Sequence, residues 1–166
     1  MKKWKRIGRF CVGVAALGVM ACQLLLGVVS CSSIECPIEN KVQLLCSVDG
    51  TLEDTLTVTT MRKNGTDTIL LNRKEVPTAF ALPISYQHDI DKLVFTTTRL
   101  AVSDTVWIEK EDQPHFESVS CGVKFFHRLL SVRSTHFGID SVVITKSYVD
   151  YDSSTTHLLF YFKARH

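Results

Sequence analysis

The sequence predicts an all-β domain, an antiparallel two-sheet sandwich of immunoglobulin-like or related topology, and three observations carry that expectation. From residue 42 onward the chain breaks into short runs rich in Val, Ile, Thr, Phe and Tyr, the composition of strands. Within most runs apolar and polar side chains alternate, so each strand has one face to bury. Between the runs stand turn pairs such as Asp49-Gly50 and Asn64-Gly65, which tolerate the positive φ of tight hairpins. About eight one-faced strands bury their apolar sides most economically as two packed sheets.

Taken in order, residues 42–48 alternate through Val42, Leu44, Cys46 and Val48 and end at Asp49-Gly50. Residues 55–61 point Leu56 and Val58 one way and Thr57 and Thr59 the other, and Asn64-Gly65 returns the chain as a hairpin partner over 68–71. Residues 76–84 place Phe80, Leu82 and Ile84 on one side. Pro77 and Pro83, lacking an amide hydrogen, mark that run as an edge or its ends. Residues 92–99 alternate through Leu93 and Phe95, and 103–110 turn Val106 and Ile108 inward and Trp107 outward with Thr105 and Glu109. Gln113-Pro114 predicts a break before 115–119. Residues 125–136 read either as a helical turn over Phe125–Leu130 or as a long bent strand. Residues 140–145 and 157–163 close the domain, the last burying Leu158, Phe160 and Phe162, with Asp150 to Ser154 as turn material. Asp-Thr or Asp-Ser recurs at Asp54, Asp67, Asp104 and Asp140, at uneven intervals that indicate strand-entry chemistry and not a repeat.

The first thirty residues are of another kind. Lys2, Lys3, Lys5, Arg6 and Arg9 form a basic head before an apolar stretch from Phe10 to Val29, the order of an export signal. Its length also reaches the roughly 17–25 residues of a membrane span. The string Leu26-Gly27-Val28-Val29-Ser30-Cys31 decides between them, because it resembles the lipobox of bacterial lipoproteins. That resemblance implies cleavage before Cys31 and acylation of it, leaving a protein tethered by lipid chains. The expected organisation is a signal peptide over 1–30, a lipidated tether over 31–40 and a single β-sandwich domain over 41–166. By resemblance to other lipoproteins, Ser32 after the cysteine implies the outer membrane and its periplasmic face, with surface exposure left open.

Charge and cysteine content narrow the function classes. Residues 31–166 hold 14 Lys and Arg against 17 Asp and Glu, a net of about −3, so there is no cationic surplus for nucleic acid. Of six cysteines, cleavage removes Cys11 and Cys22 and lipidation consumes Cys31. Cys46 lies on a period-two apolar face and reads as a small buried hydrophobe. Cys36 and Cys121 remain as the expected disulfide in an oxidising compartment, closing a long loop worth on the order of 4 kcal/mol in the chain-entropy account.

Several strings occur together in order: Cys31-Ser32-Ser33-Ile34-Glu35-Cys36-Pro37, Asp54-Thr55-Leu56-Thr57-Val58, Pro114-His115-Phe116-Glu117-Ser118-Val119-Ser120-Cys121, Ile139-Asp140-Ser141-Val142-Val143-Ile144 and Tyr151-Asp152. As a set they resemble a family of small uncharacterised lipoproteins of the Bacteroides group, a domain of unknown function. The resemblance implies an envelope lipoprotein with cysteines at the positions of Cys36 and Cys121. It transfers no activity, substrate or catalytic residue.

No catalytic residue, cofactor or metal is expected. The six histidines, His88, His115, His127, His136, His157 and His166, show no zinc spacing and read as scattered surface residues. The acidic residues Asp89, Asp91, Glu109, Glu111, Asp112 and Glu117 form no calcium loop and read as solvated. No Gly-x-Ser-x-Gly elbow is present. The lead for recognition is aromatic: Trp107, Phe116, Tyr148 and Tyr151 form the candidate binding face, against the alternative that a second sheet or loop covers the tryptophan. The expected function is a lipid-anchored, noncatalytic binding or scaffolding module of the cell envelope, its partners the membrane through acylated Cys31 and an envelope protein or glycan. Two alternatives stand beside it, a hydrolase acting on envelope components or glycans and a structural accessory subunit of an envelope complex.

Overall fold

A computed structural model describes residues 42–50, 52–60, 67–119 and 121–163. Outside them fall the signal peptide, Cys31, the tether, Cys36, the Asn64-Gly65 turn and His166. The described residues form ten strands: β1 (Gln43–Val48), β2 (Thr55–Thr60), β3 (Thr68–Glu75), β4 (Ala79–Pro83), β5 (Ile90–Thr97), β6 (Val102–Phe116), β7 (Val123–Ser134), β8 (Ile139–Ile144), β9 (Tyr148–Val149) and β10 (Leu158–Phe162). They make a four-stranded sheet in the order β4-β1-β10-β8 and a six-stranded sheet in the order β3-β2-β5-β6-β7-β9.

The protein is therefore all-β with two sheets, but it is not wholly antiparallel. β1 and β10 run parallel, with Cys46 opposite Leu158 and Val48 opposite Phe160. β10 lies between β1 and β8 and is antiparallel to β8, which leaves β1 on its other edge running the same way.

The alternation does what the sequence requires of it. Leu44, Cys46 and Val48 of β1, Leu56 and Val58 of β2, Leu93 and Phe95 of β5, Val106 and Ile108 of β6, and Leu158 and Phe160 of β10 are all buried. Phe95 reaches across from the larger sheet to Phe160 and Phe80 of the smaller, at centroid separations of 5.0 and 6.3 Å. Each such aromatic pair adds about 0.5–1.5 kcal/mol beyond area burial.

Two features of β6 and β7 depart from the sequence reading or resolve it. Gln113-Pro114 is not a break: β6 continues to Phe116, with Pro114 opposite Phe125 of β7. β5 pairs with β6 only as far as Glu109. Lys110 N–H still donates to Asp89 O on that side, at 2.8 Å, and the amides of residues 112 and 114 share its direction by alternation. Beyond Glu109 that side of β6 is an edge, so proline forfeits no ladder bond. Residues 125–130 are extended, not helical, within β7.

At the opposite end of the six-stranded sheet two buried carboxylates tie down turns. Asp54 accepts from the backbone N–H of Thr55, Arg99 and Leu100 at 2.6, 2.8 and 3.0 Å. Asp104 accepts from Phe137 N–H and the Thr135 hydroxyl through Oδ1, and from Gly138 and Ile139 N–H through Oδ2, all at 2.6–2.8 Å. Of the four Asp-Thr/Ser sites, Asp54 and Asp104 are buried turn anchors, whereas Asp67 and Asp140 are exposed. Burial alone would raise both buried carboxyls, but the hydrogen bonds they accept outweigh it and hold both below the ordinary carboxylate range.

The expected disulfide is present at Cys121, which is disulfide-bonded, and the partner expected for it, Cys36, lies outside the described residues. Among the described residues no bridge joins two cysteines: Cys46 is a free, buried thiol, its pKa pushed up by burial. Cys121 sits in the turn between β6 and β7, accepts from the Ser118 hydroxyl at 3.1 Å and has a further partner. The two packed sheets hold the described strands together without a cross-link between them.

Candidate functional site

Strand alternation divides the side chains of β6 and β7 between two surfaces. The outward set of β6 is Trp107, Glu109, Glu111, Gln113 and His115, opposite Arg133, Ser131, Arg128, Phe126 and Lys124 of β7. Trp107 is half-buried because cations cover it. The Arg133 guanidinium lies 4.1 Å from the ring centroid, and Lys92, directly across on β5, lies 5.9 Å away. Such contacts are worth about 0.5–1 kcal/mol at an exposed site.

Farther along the same surface the cross-strand neighbours become aromatic. Phe126 stacks on His115 with centroids 4.4 Å apart and takes the edges of Tyr151 and Tyr148 at 5.0 and 5.9 Å. Tyr148 arrives there because β9 pairs it with Arg128. Burial of the Tyr151 hydroxyl, together with the Glu117 carboxylate beside it, pushes its pKa up. Trp107, Tyr148 and Tyr151 thus share one face. Phe116 does not: its parity is that of Ile108 and Lys110, and it stands 62% exposed at the strand's end opposite Val123.

The inward set holds what the sequence reading missed. Continuing from Val106 and Ile108, the next inward residues of β6 are Lys110 and Asp112. Lys110 is only 1% exposed. Its ammonium donates to His88 O at 2.7 Å and to Asp112 Oδ1 at 2.6 Å. The same Oδ1 lies 2.6 Å from His127 Nδ1. A carboxylate oxygen already paired with an ammonium can only accept, so the His127 proton sits on Nδ1 and Nε2 carries the lone pair. Burial lowers the His127 pKa against the opposing pull of Asp112, which keeps the ring neutral near pH 7. Asp91, which accepts from Ser85 N–H at 3.1 Å, is raised by burial against the lowering of that bond and of Lys110.

His127 and His157 correct the reading of the histidines as surface residues, because both are buried. His157 Nδ1 accepts from Leu45 N–H at 3.0 Å, while His157 N–H donates to Leu45 O at 2.8 Å. One histidine thereby stitches the loop before β10 to β1. Strict parity run past Ile108 would have placed Lys110 and Asp112 inward. Nothing in the sequence marks His127 as their partner, since that requires the β6–β7 register.

Among the described residues no group of three or more His, Cys, Asp and Glu is placed to hold a metal ion, and no helix is long and apolar enough to cross a membrane. The molecule is a two-sheet β domain with an aromatic and cationic outer face and a charged network beneath its inner one. Residues 55–162, from the first residue of β2 to the last of β10, match a family of unknown function, DUF6452, and the chain belongs to that family. No curated protein and no solved structure matches the chain.

Proposed function

We propose that this protein is a lipid-anchored, noncatalytic binding module of the cell envelope, a Bacteroides-group lipoprotein held through acylated Cys31 at the periplasmic face of the outer membrane. The observation that carries the binding reading is the outer face of β6 and β7. Trp107 under Arg133 and the group of His115, Phe126, Tyr148 and Tyr151 lie on one sheet surface. Aromatic and arginine side chains are the residues most enriched at binding hot spots. The partner is an envelope protein or glycan. The two-sheet packing, with the chain passing repeatedly between sheets, supports kinship with immunoglobulin-like sandwiches, which by itself assigns no function.

The binding reading is tested in cells by a photo-crosslinking amino acid at position 131, exposed between the tryptophan and the aromatic group, with position 143 on the other sheet as control. A discrete adduct at 131 that disappears in Trp107→Ala/Tyr148→Ala is expected. No adduct, or equal adducts at both positions, overturns the reading. For the anchor, Cys31→Ser is expected to move the protein from the membrane fraction to the soluble one, and an intact mass starting at Met1 without acyl groups refutes lipidation.

A further inference from the structure

At the end of the sandwich where β6 and β7 outrun the smaller sheet, a cleft of about 510 Å³ is lined by Val42, Gln43, Pro83, Ile84, Tyr86, Val123, Lys124, Phe125 and His127. That volume lies in the roughly 300–1,000 Å³ range of small-molecule sites. We propose that this cleft binds a small molecule with a flat apolar body and a hydroxyl group, the hydroxyl donating to His127 Nε2. Lys124 alone is common to this site and the outer face, and the proposal does not depend on that face.

Three observations converge on that ligand class. Six of the nine lining residues carry aliphatic or aromatic side chains, and Tyr86 and Phe125 stand stacked at 5.0 Å with their planes 8° apart, a flat flank that suits a flat body. His127 is the one buried polar side chain among the described lining residues. Its tautomer is set from behind: Lys110 fixes the Asp112 carboxylate, and Asp112 takes the Nδ1 proton. Nε2 is therefore a pre-oriented acceptor, which a hydroxyl satisfies and an ether or hydrocarbon does not. A site built around one buried acceptor discriminates against analogues lacking the donor, because the acceptor is then buried unpaired.

The test uses the full-length chain in detergent with 2-naphthol and 2-methoxynaphthalene as probes, binding followed by naphthalene fluorescence. The two share a ring system and differ in the donor. The naphthol is expected to bind about tenfold more tightly than its ether and to shift the Nε2 resonance of His127 in histidine-labelled protein. His127→Phe is expected to abolish the preference, while Tyr86→Ala weakens both probes and leaves their ratio unchanged. Absence of naphthol binding, equal affinity for both probes, or a preference that survives in His127→Phe overturns the proposal. If His127→Phe fails to fold, the Nε2 shift in the parent protein decides, and its absence is equally fatal.

Discussion

The two ends of the six-stranded sheet each turn a carboxylate inward, Asp104 fully buried and Asp112 mostly so, and use it differently. At one end Asp104 is surrounded by three backbone N–H groups and the Thr135 hydroxyl, so its charge is spent on fixing the turn from β7 to β8. At the other end Asp112 is shared by two side chains, Lys110 and His127, and no backbone turn hangs on it. A carboxylate satisfied by main chain is part of the fold's framework. One satisfied by side chains, with a histidine on a cleft wall, instead sets the state of a neighbour.

The largest expected effect breaks the framework end. Asp104→Ala strands four donors and is expected to cost on the order of 4 kcal/mol in urea unfolding; a loss below about 1 kcal/mol would deny the carboxylate that role. Lys110→Met leaves the Asp112 carboxylate without its cation and His88 O without its donor, for roughly 2–3 kcal/mol, less than Asp104→Ala because Asp112 keeps its bond to His127 and some contact with solvent. Because the lysine charge depresses the His127 pKa, the same substitution should raise it in an NMR titration. A loss as large as that of Asp104→Ala would make the two ends equivalent.

Acid should separate the two ends. The His127 pKa is lowered on folding, so its contribution is complete above about pH 6.5 and is lost as pH falls through the folded value. The Asp104 pKa is also lowered, and its contribution persists until pH drops below about 4. Stability is therefore expected to decline in two stages. His127→Phe flattens the upper one in part, the remainder belonging to His157, whose pKa burial also lowers. A single decline confined below pH 4 would erase the distinction.

The smallest effect is expected from Thr135→Val, which removes the hydroxyl that donates to Asp104 and accepts from Thr105 N–H, for roughly 1–2 kcal/mol.

Much of this domain was legible in the sequence where one face meets the core: the alternation of β1, β2, β5 and β10 is the alternation of their burial. Legibility failed where a residue's environment is set by register. Pro114 reads as a stop, yet it lies on a stretch of strand with no neighbour to miss its hydrogen. β9 is two residues long and exists because β7 offers Tyr148 and Val149 an edge. The outward tryptophan was readable from parity, but its Arg133 cover, the network of Lys110, Asp112 and His127, and the parallel partnership of β1 needed distant residues brought together.

That partnership governs when the protein can finish folding. β10 lies between β1 and β8, so the first strand waits for nearly the last residues before it gains its second neighbour: Cys46 pairs with Leu158. A polypeptide emerging from a ribosome cannot zip this sheet early, and one stopped short of Leu158 leaves β1 and β8 each with a bare edge. Late closure makes β10 the latch of the smaller sheet.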